Sequence, residues 1–469
     1  MTQDQARTVM ALGILAVLSL IPIAVALIRS RVFRDWDLTA TVVFLTGVLA
    51  NAPTVAYVIR AGRPQLLDPR GETVIGFPGW VNQIGSVANG LLLATCVVFV
   101  VHRLLVTRPR INVAPLLALT LVALFALSDG LHGQQFLAPR QFVLLAVLLA
   151  AVVARPGRAA FLGASAAVLL FTVLGGIEAL VEPASVLREC RPDNPCGLLG
   201  VHYAGVFTNE NIFSLLLALG VPLVWLGLRG RVRVLLACYV AFLAVATGSK
   251  LATVAALAAL ALLVLLRPRL MSEGGRRVSP GRILLTVPVL GVASFIGLAA
   301  PFHHPGADRL GDRATIWEMA RTELGGSPFL GFGGKAWSGK YQVGEIPAAV
   351  SPSLHNQWID ILYASGLVGL VLFVLLLAHL LLKGGTAAFP AAACVLLPVL
   401  LASVLERPWS FDISNSLTVT LVAALLIPAA VRPATAAAAP GSGSSPDALP
   451  VRTPCHSPAA TAPDRSAPR

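Results

Sequence analysis

The sequence predicts an all-α polytopic membrane protein of about 12–13 transmembrane helices, with one large external loop that contains a short amphipathic helix. Three observations carry this. Hydrophobic residues make up 56% of the 469 and charged residues only 12%, with a mean hydropathy of +0.80, far outside the composition of a water-soluble globular domain. The apolar residues gather into about thirteen runs that approach the ~30 Å of a bilayer's hydrocarbon core at about 1.5 Å per helical residue. Finally, Lys and Arg cluster in every second connection between runs, the pattern of a chain threaded back and forth across a membrane.

The runs begin near residues 8, 38, 83, 111, 136, 160, 211, 233, 251, 283, 359, 387 and 414. The first has no basic region before it, no A-x-A-like site after it and Pro22 within it, so it reads as a span and not as a cleaved signal. The fifth, around QFVLLAVLLAAVVA, and the eighth, around VLLACYVAFLAVAT, barely reach spanning length and can tilt little. Basic groups follow in alternation: Arg29, Arg31 and Arg34; Arg103, Arg108 and Arg110; Arg155 and Arg158; Arg229, Arg231 and Arg233; Arg267, Arg269, Arg276, Arg277 and Arg282; then Lys383. Retained on the cytoplasmic side, they place the N-terminus outside, the C-terminus inside, and residues 60–75, 182–207, 301–357 and 405–413 outside.

The formal net charge of +13 is therefore a topology signal, and without a basic patch on a soluble domain no nucleic-acid partner is expected. The chain divides into an N-terminal bundle over 1–300, an external loop over 301–357, C-terminal helices over 358–431 and a tail over 432–469. That tail is rich in Pro, Ala and Ser without apolar periodicity, as in a disordered cytoplasmic segment. Cys190 and Cys196 flank an external Pro-containing turn, RECRPDNPCG, where an oxidising compartment would allow a disulfide. Cys96, Cys238 and Cys394 fall within apolar runs as small hydrophobic residues, and no metal-ligand spacing appears.

Polarity collects at the outer ends of the spans: Asp129 and His132, Glu178 and Glu182, His202, Asn209 to Asn211, Lys250, Glu406 and Arg407. The outer loop adds GDRATIWEMARTELGG, in which Ile316, Met319, Ala320 and Leu324 recur at helical spacing while Arg313, Trp317 and Arg321 share another face. This predicts an amphipathic helix on the outer membrane surface, with Trp317 at headgroup level. SPFLGFGGKAW then predicts a Gly-rich turn whose backbone can approach a ligand, and SLHNQW puts His355 and Asn356 just before the next span.

In ATGSKLATV, Lys250 stands at a helix N-terminus, where free N–H groups and an ammonium favour an anion. Lys250, Arg313, Arg321 and Lys335 are thus candidates to converge on a phosphate-bearing ligand. Ordinary alternatives stand beside each: a snorkelling anchor for Lys250, headgroup contacts for Arg313 and Arg321, a plain loop position for His355, and helix capping by Thr208 or Asn209.

Taken in order, these segments resemble the O-antigen ligase and polymerase family of bacterial membrane glycosyltransferases, over about residues 197–382. The family's R-x-x-G-x-F-x-N-x-N pattern is met by HYAGVFTNEN with Gly205, Phe207, Asn209 and Asn211, His202 standing at the arginine position. A T-G-S-R-G-like turn is met by TGSKLA, with Lys250 for arginine, and both changes lose the bidentate fork that suits a diphosphate. DRATIW, PFLGFG and LHN supply Arg313, Trp317, Gly331, Gly333, His355 and Asn356.

The resemblance implies glycan transfer from a polyprenyl-diphosphate-linked oligosaccharide to a glycan, lipid or wall acceptor, at the outer face of the bacterial cytoplasmic membrane. It also implies a reaction without metal, and no other cofactor is expected; direct attack at the anomeric carbon would invert configuration. In that scheme Lys250 and Arg313 stabilise the leaving diphosphate, His355 is the general base, and His202, Asn209, Asn211, Trp317, Arg321, Lys335 and Asn356 bind substrate. A flippase or exporter of lipid-linked saccharide is the alternative of another class. Scarce charge at span centres and the long structured loop stand against it.

Overall fold

The structure, a computed structural model, describes residues 2–62, 77–107, 109–155, 157–188, 190, 196–268, 279–303, 313–346 and 353–427. The tail assigned to 432–469, and Arg108, Arg269, Arg276 and Arg277 of the alternating pattern, lie outside the described residues.

The chain runs through α1 (Gln3–Arg29), a short α2 (Val32–Asp35), α3 (Leu38–Ala61), α4 (Gly79–Thr107), α5 (Val113–Leu131), α6 (Pro139–Val153) and α7 (Ala159–Val181). A two-residue antiparallel pairing of β1 (Leu187–Arg188) with β2 (His202–Tyr203) follows. Next come α8 (Glu210–Gly227), α9 (Val232–Ala246), α10 (Lys250–Leu266) and α11 (Pro280–Ala299). The long connection holds α12 (Arg313–Glu323) and α13 (Ala336–Gln342), and α14 (Gln357–Leu382), α15 (Gly385–Ala402) and α16 (Thr418–Leu425) complete the described chain.

Each apolar run coincides with a helix, and the protein is an all-α polytopic membrane protein. Nine helices among the described residues, α1, α3, α4, α5, α7, α8, α11, α14 and α15, are long and apolar enough to cross a membrane. The apolar α6, α9 and α10 have only 15, 15 and 17 residues. At about 1.5 Å per residue they fall short of a full hydrocarbon thickness.

The bundle is organised around α7, which packs on α1, α3 and α8, and α8, which packs on α9 and α10 as well. Apolar side chains gain little by leaving lipid for another helix, so helices associate where small residues let their backbones approach. A Cβ on Gly176 of α7 would lie 1.9 Å from the Ala16 Cβ of α1, and one on Gly163 would lie 2.2 Å from the Ala40 carbonyl oxygen of α3.

One end of the bundle gathers the arginine-rich connections. Asp35 pairs with Arg229 at 2.8 Å and with Arg158 at 3.5 Å, and the Arg229 amide donates to Ser30 Oγ at 2.9 Å. Arg103 Nε donates to the Val153 carbonyl at 3.2 Å, and Arg282 Nη1 to the Leu265 carbonyl at 2.9 Å.

The long connection lies at the opposite end, and there α14 is broken. Gly366 sits at φ 62° and ψ −162°, outside helical geometry. The break frees backbone groups that must find partners away from water. Residues 328–333 supply them: the Phe332 and Gly333 amides donate to the Tyr363 and Ala364 carbonyls at 2.8 and 2.9 Å, while the Leu367 and Val368 amides donate to the Pro328 and Phe329 carbonyls at 2.9 and 3.2 Å. The glycines of SPFLGFGGK thus serve close backbone approach to another helix, where the sequence suggested approach to a ligand. A Cβ on Gly331 would lie 2.4 Å from the Ser365 nitrogen.

The amphipathic α12 is present, but its apolar face is not spread on a membrane surface. Ile316, Trp317 and Ala320 are buried with Ala336, Trp337, Ile346, Leu354, Ile359 and Tyr363 in a small core shared by the loop and the start of α14. Trp317 is 1% exposed and its indole N–H donates to the Leu354 carbonyl at 2.8 Å, which corrects its placement at headgroup level.

Gly163→Ala is expected to force α7 away from α3, costing roughly 1–3 kcal/mol and lowering the melting temperature in detergent. Gly291→Ala, in a position where a Cβ meets no atom within 4 Å, should leave it unchanged or slightly raised.

Candidate functional site

Three groups distant in sequence meet at the loop end. Glu406, in the connection between α15 and α16, accepts from Arg313 Nη2 at Oε1 (2.9 Å) and contacts His355 Nδ1 at Oε2 (3.0 Å). Arg313 Nε also donates to the Leu405 carbonyl at 3.2 Å, so the guanidinium is oriented by two acceptors. The side chains of Arg313 and His355 are 31% and 25% exposed, open enough to reach a ligand, while Glu406 is 14% exposed beneath them. His355 itself sits at φ 48°, a left-handed conformation uncommon for a residue with a Cβ.

The next residue along, Arg407, faces the other way. Its Nη1 donates to Asp360 Oδ1 at 3.1 Å and lies 3.6 Å from Asp412 Oδ2. Burial works against its charge, yet Asp360 and Asp412 more than compensate and raise its pKa above the usual arginine value. Asp129, at the end of α5, accepts from the Lys335 backbone amide at 3.0 Å and lies 3.9 Å from its ammonium. The Lys335 ammonium also donates to the Gln135 carbonyl. Lys335 and Arg313 are thus already matched with carboxylates, whereas the sequence suggested cations waiting for an anion. Arg321 is half-buried on α12.

A second group forms around the turn before α10. His202 is 2% exposed, with Nδ1 3.3 Å from the Thr247 carbonyl, and it packs on Gly248, where a Cβ would lie 2.5 Å from that nitrogen. Cys190 and Cys196 are disulfide-bonded, and the following Gly197 also abuts Gly248. Lys250 is exposed at the first position of α10, with Ser249 as N-cap. Asn209 caps α8, its Oδ1 accepting from the Asn211 amide at 2.7 Å, and Asn211 is half-buried in the first turn. Glu210 between them is bound at 2.7 Å by Arg188. Pairing of β1 with β2 and the disulfide thus lock His202 against the Lys250 turn.

Asn356 joins the site as scaffold. It is fully buried; Nδ2 donates to the Gly297 and Val404 carbonyls, both at 2.9 Å, and Oδ1 accepts from the Trp358 and Ile359 amides at 2.9 and 3.0 Å. All four of its hydrogen-bonding positions are spent tying α11, α14 and the 403–404 turn together. Trp317, likewise enclosed, reaches no open surface.

Sequence reasoning did not single out Asp360 or Asp412. A carboxylate in the first turn of a span, as in HNQWID, was the available signal for the first. It also missed a cavity of about 520 Å³ between α3, α4, α6 and residues 413–416, walled in part by Asn82, Ser86, Asn89, Arg140 and Asn415. Asn82, Ser86 and Asn89 recur at helical spacing on one face of α4, a polar stripe legible in the sequence.

Comparison with known proteins finds no match among curated ones. The family model described as O-antigen ligase matches residues 234–374, from Val234 in α9 to Val374 in α14. That span includes Lys250, Arg313, Trp317, Arg321, Lys335, His355 and Asn356, and excludes His202, Asn209, Asn211 and Glu406. Over residues 234–374 this membrane protein is therefore similar to O-antigen ligases.

Proposed function

We propose that the protein transfers or polymerises glycan from a polyprenyl-diphosphate carrier, at the outer face of the bacterial cytoplasmic membrane, in the assembly of a cell-surface polysaccharide. The observation that carries the proposal is the Arg313–Glu406–His355 group: a histidine oriented by a carboxylate, beside a guanidinium, at the end of the bundle away from the arginine-rich connections. The disulfide at the same end as the Lys250 turn supports an extracytoplasmic site, since such bonds persist in oxidising compartments.

In this scheme an acceptor hydroxyl attacks the anomeric carbon as the bond from that carbon to the diphosphate oxygen breaks, inverting the configuration. His355 takes the hydroxyl proton. With Nδ1–H donated to Glu406, Nε2 is the accepting atom, and Glu406 acts as a positioning residue. Lys250 and Arg313 stabilise the charge that develops on the departing diphosphate, in place of a metal. Asn209 and Asn211 lie at the depth of the first sugar, with His202 behind the Lys250 turn and Arg321 and Lys335 bordering the loop. Amides and hydroxyls on the wall of the 520 Å³ cavity suit the glycan, because each can donate to or accept from sugar hydroxyls. The acceptor is a glycan, lipid or wall component, and membrane lipids surround the bundle.

The broken α14 is the observation that favours a flippase, because discontinuous helices mark many transport sites. Four of its backbone groups on the two sides of the break are instead taken by residues 328–333, which speaks against open helix ends waiting for a travelling substrate.

The test is incubation of the purified protein in nanodiscs with polyprenyl-diphosphate-linked oligosaccharide, with and without chelator, followed by mass spectrometry of the products. Longer carrier-linked chains or glycan moved to an acceptor, insensitive to chelator, are expected. Intact donor translocated across the bilayer would overturn the proposal. His355→Ala, expressed at normal levels, should lower transfer by about 10²-fold or more, and Glu406→Gln should lower it while leaving donor binding. Asn356→Ala should cost roughly 1–3 kcal/mol in stability; a normal melting temperature with lost transfer would show instead that the amide touches substrate.

A further inference from the structure

At the arginine-rich end, away from the proposed transfer site, a cavity of about 740 Å³ opens where the end of α8, the start of α9 and the end of α10 come together. Its wall includes Trp225, Arg231, Arg233, Arg267, Val234 and Val264. No acidic side chain is among the described residues that line it. The Arg233 guanidinium lies over the Trp225 ring at 5.2 Å, and Arg267 Nε donates to the Val264 carbonyl at 3.3 Å. Arg231, at the N-cap of α9, is exposed.

A positive end facing the cytoplasm is ordinary for a membrane protein, and scattered arginines alone would indicate nothing more. Two further features mark a built site. Trp225 is only 5% exposed, and its buried indole N–H has no hydrogen-bond partner among the described residues, a donor that costs stability unless something accepts from it. Above the cavity, α9 and α10 present exposed apolar side chains along their outer faces: Val234, Leu235 and Phe242 on one, Val254, Leu257 and Val264 on the other. Charge and an unmet donor lie at the level of lipid headgroups, with an apolar track leading toward the membrane interior.

We infer that this cavity binds the phosphate of an anionic phospholipid, with Arg231, Arg233 and Arg267 around the headgroup, the Trp225 N–H donating to a phosphate oxygen, and an acyl chain along the apolar faces of α9 and α10. Guanidinium groups match phosphate geometry, and basic pockets between helices on the cytoplasmic side retain acidic lipids. The lipid would tie α8 to α10, whose far ends carry Asn209 and Lys250, so its binding stabilises the half of the bundle that bears them.

The test is thermal unfolding of the purified full-length protein in detergent, titrated with phosphatidylglycerol, phosphatidylcholine or inorganic phosphate. Phosphatidylglycerol should raise the melting temperature by several degrees at saturation, phosphatidylcholine much less and phosphate not at all. Arg231→Gln, at an exposed side chain, should raise the phosphatidylglycerol midpoint several-fold, and the triple change Arg231→Gln, Arg233→Gln and Arg267→Gln by about tenfold or more. Trp225→Phe, which keeps the ring and loses the donor, should raise it several-fold as well. Equal shifts with both lipids, or a preference that survives the triple change, would overturn the inference. A shift reproduced by inorganic phosphate alone would overturn the lipid in favour of a free anion. None of these measurements depends on glycan transfer.

Discussion

The rest of the structure depends on one constraint: a polar group enclosed in an apolar bundle must be matched within the protein. Asn356 shows how much organisation this imposes. One amide satisfies two carbonyls and two backbone amides, and α11, α14 and the turn after α15 are brought to a common point. The residue beside it, His355, stands next to that junction with a left-handed backbone. The base proposed for the chemistry thus adjoins a residue whose own hydrogen bonds are fully spent.

The same constraint governs charge. Glu406 and Arg407 are consecutive and oppositely charged, and they serve different partners: one holds Arg313 and His355, the other Asp360 and Asp412. Arg313 and Lys335 are likewise matched to carboxylates, so the loop end is a network of opposed charges and not a reservoir of positive charge. Partly desolvated pairs of this kind contribute orientation more than net stability. Lys250 differs, being exposed at a helix N-terminus, and of the proposed diphosphate ligands it is the one best disposed to meet an incoming anion.

Elements whose cause is local were legible in the sequence. Every apolar run became a helix, because length and hydropathy suffice to define one, and α12 was visible from its periodicity. Which way α12 faced was not. Membrane surface and a small protein core ask for the same apolar stripe, and only Leu354, accepting from Trp317 at a separation of 37 residues, distinguishes them. Arg313 and His355 stood out by type and position. Their common partner Glu406 lies 93 and 51 residues away and was noted only as a polar group at a span end. Side-chain pairing across such distances has no periodic signature. The Gly-rich segment misled for a related reason: glycine permits close approach without saying to what.

The break in α14 has a mechanical consequence. Residues 328–333 are joined to it by main-chain hydrogen bonds on both sides of Gly366, and the loop's small core anchors on Ile359 and Tyr363 in the preceding half-helix. To swing outward, residues 313–346 would have to surrender those bonds and uncover Trp317 and Trp337 together, so this part of the loop is built as a wall more than as a lid. On the proposed function, a lipid-borne substrate would enter and leave without displacing residues 328–333, by way of the gaps between helices or over the rim, and would meet walls already in place.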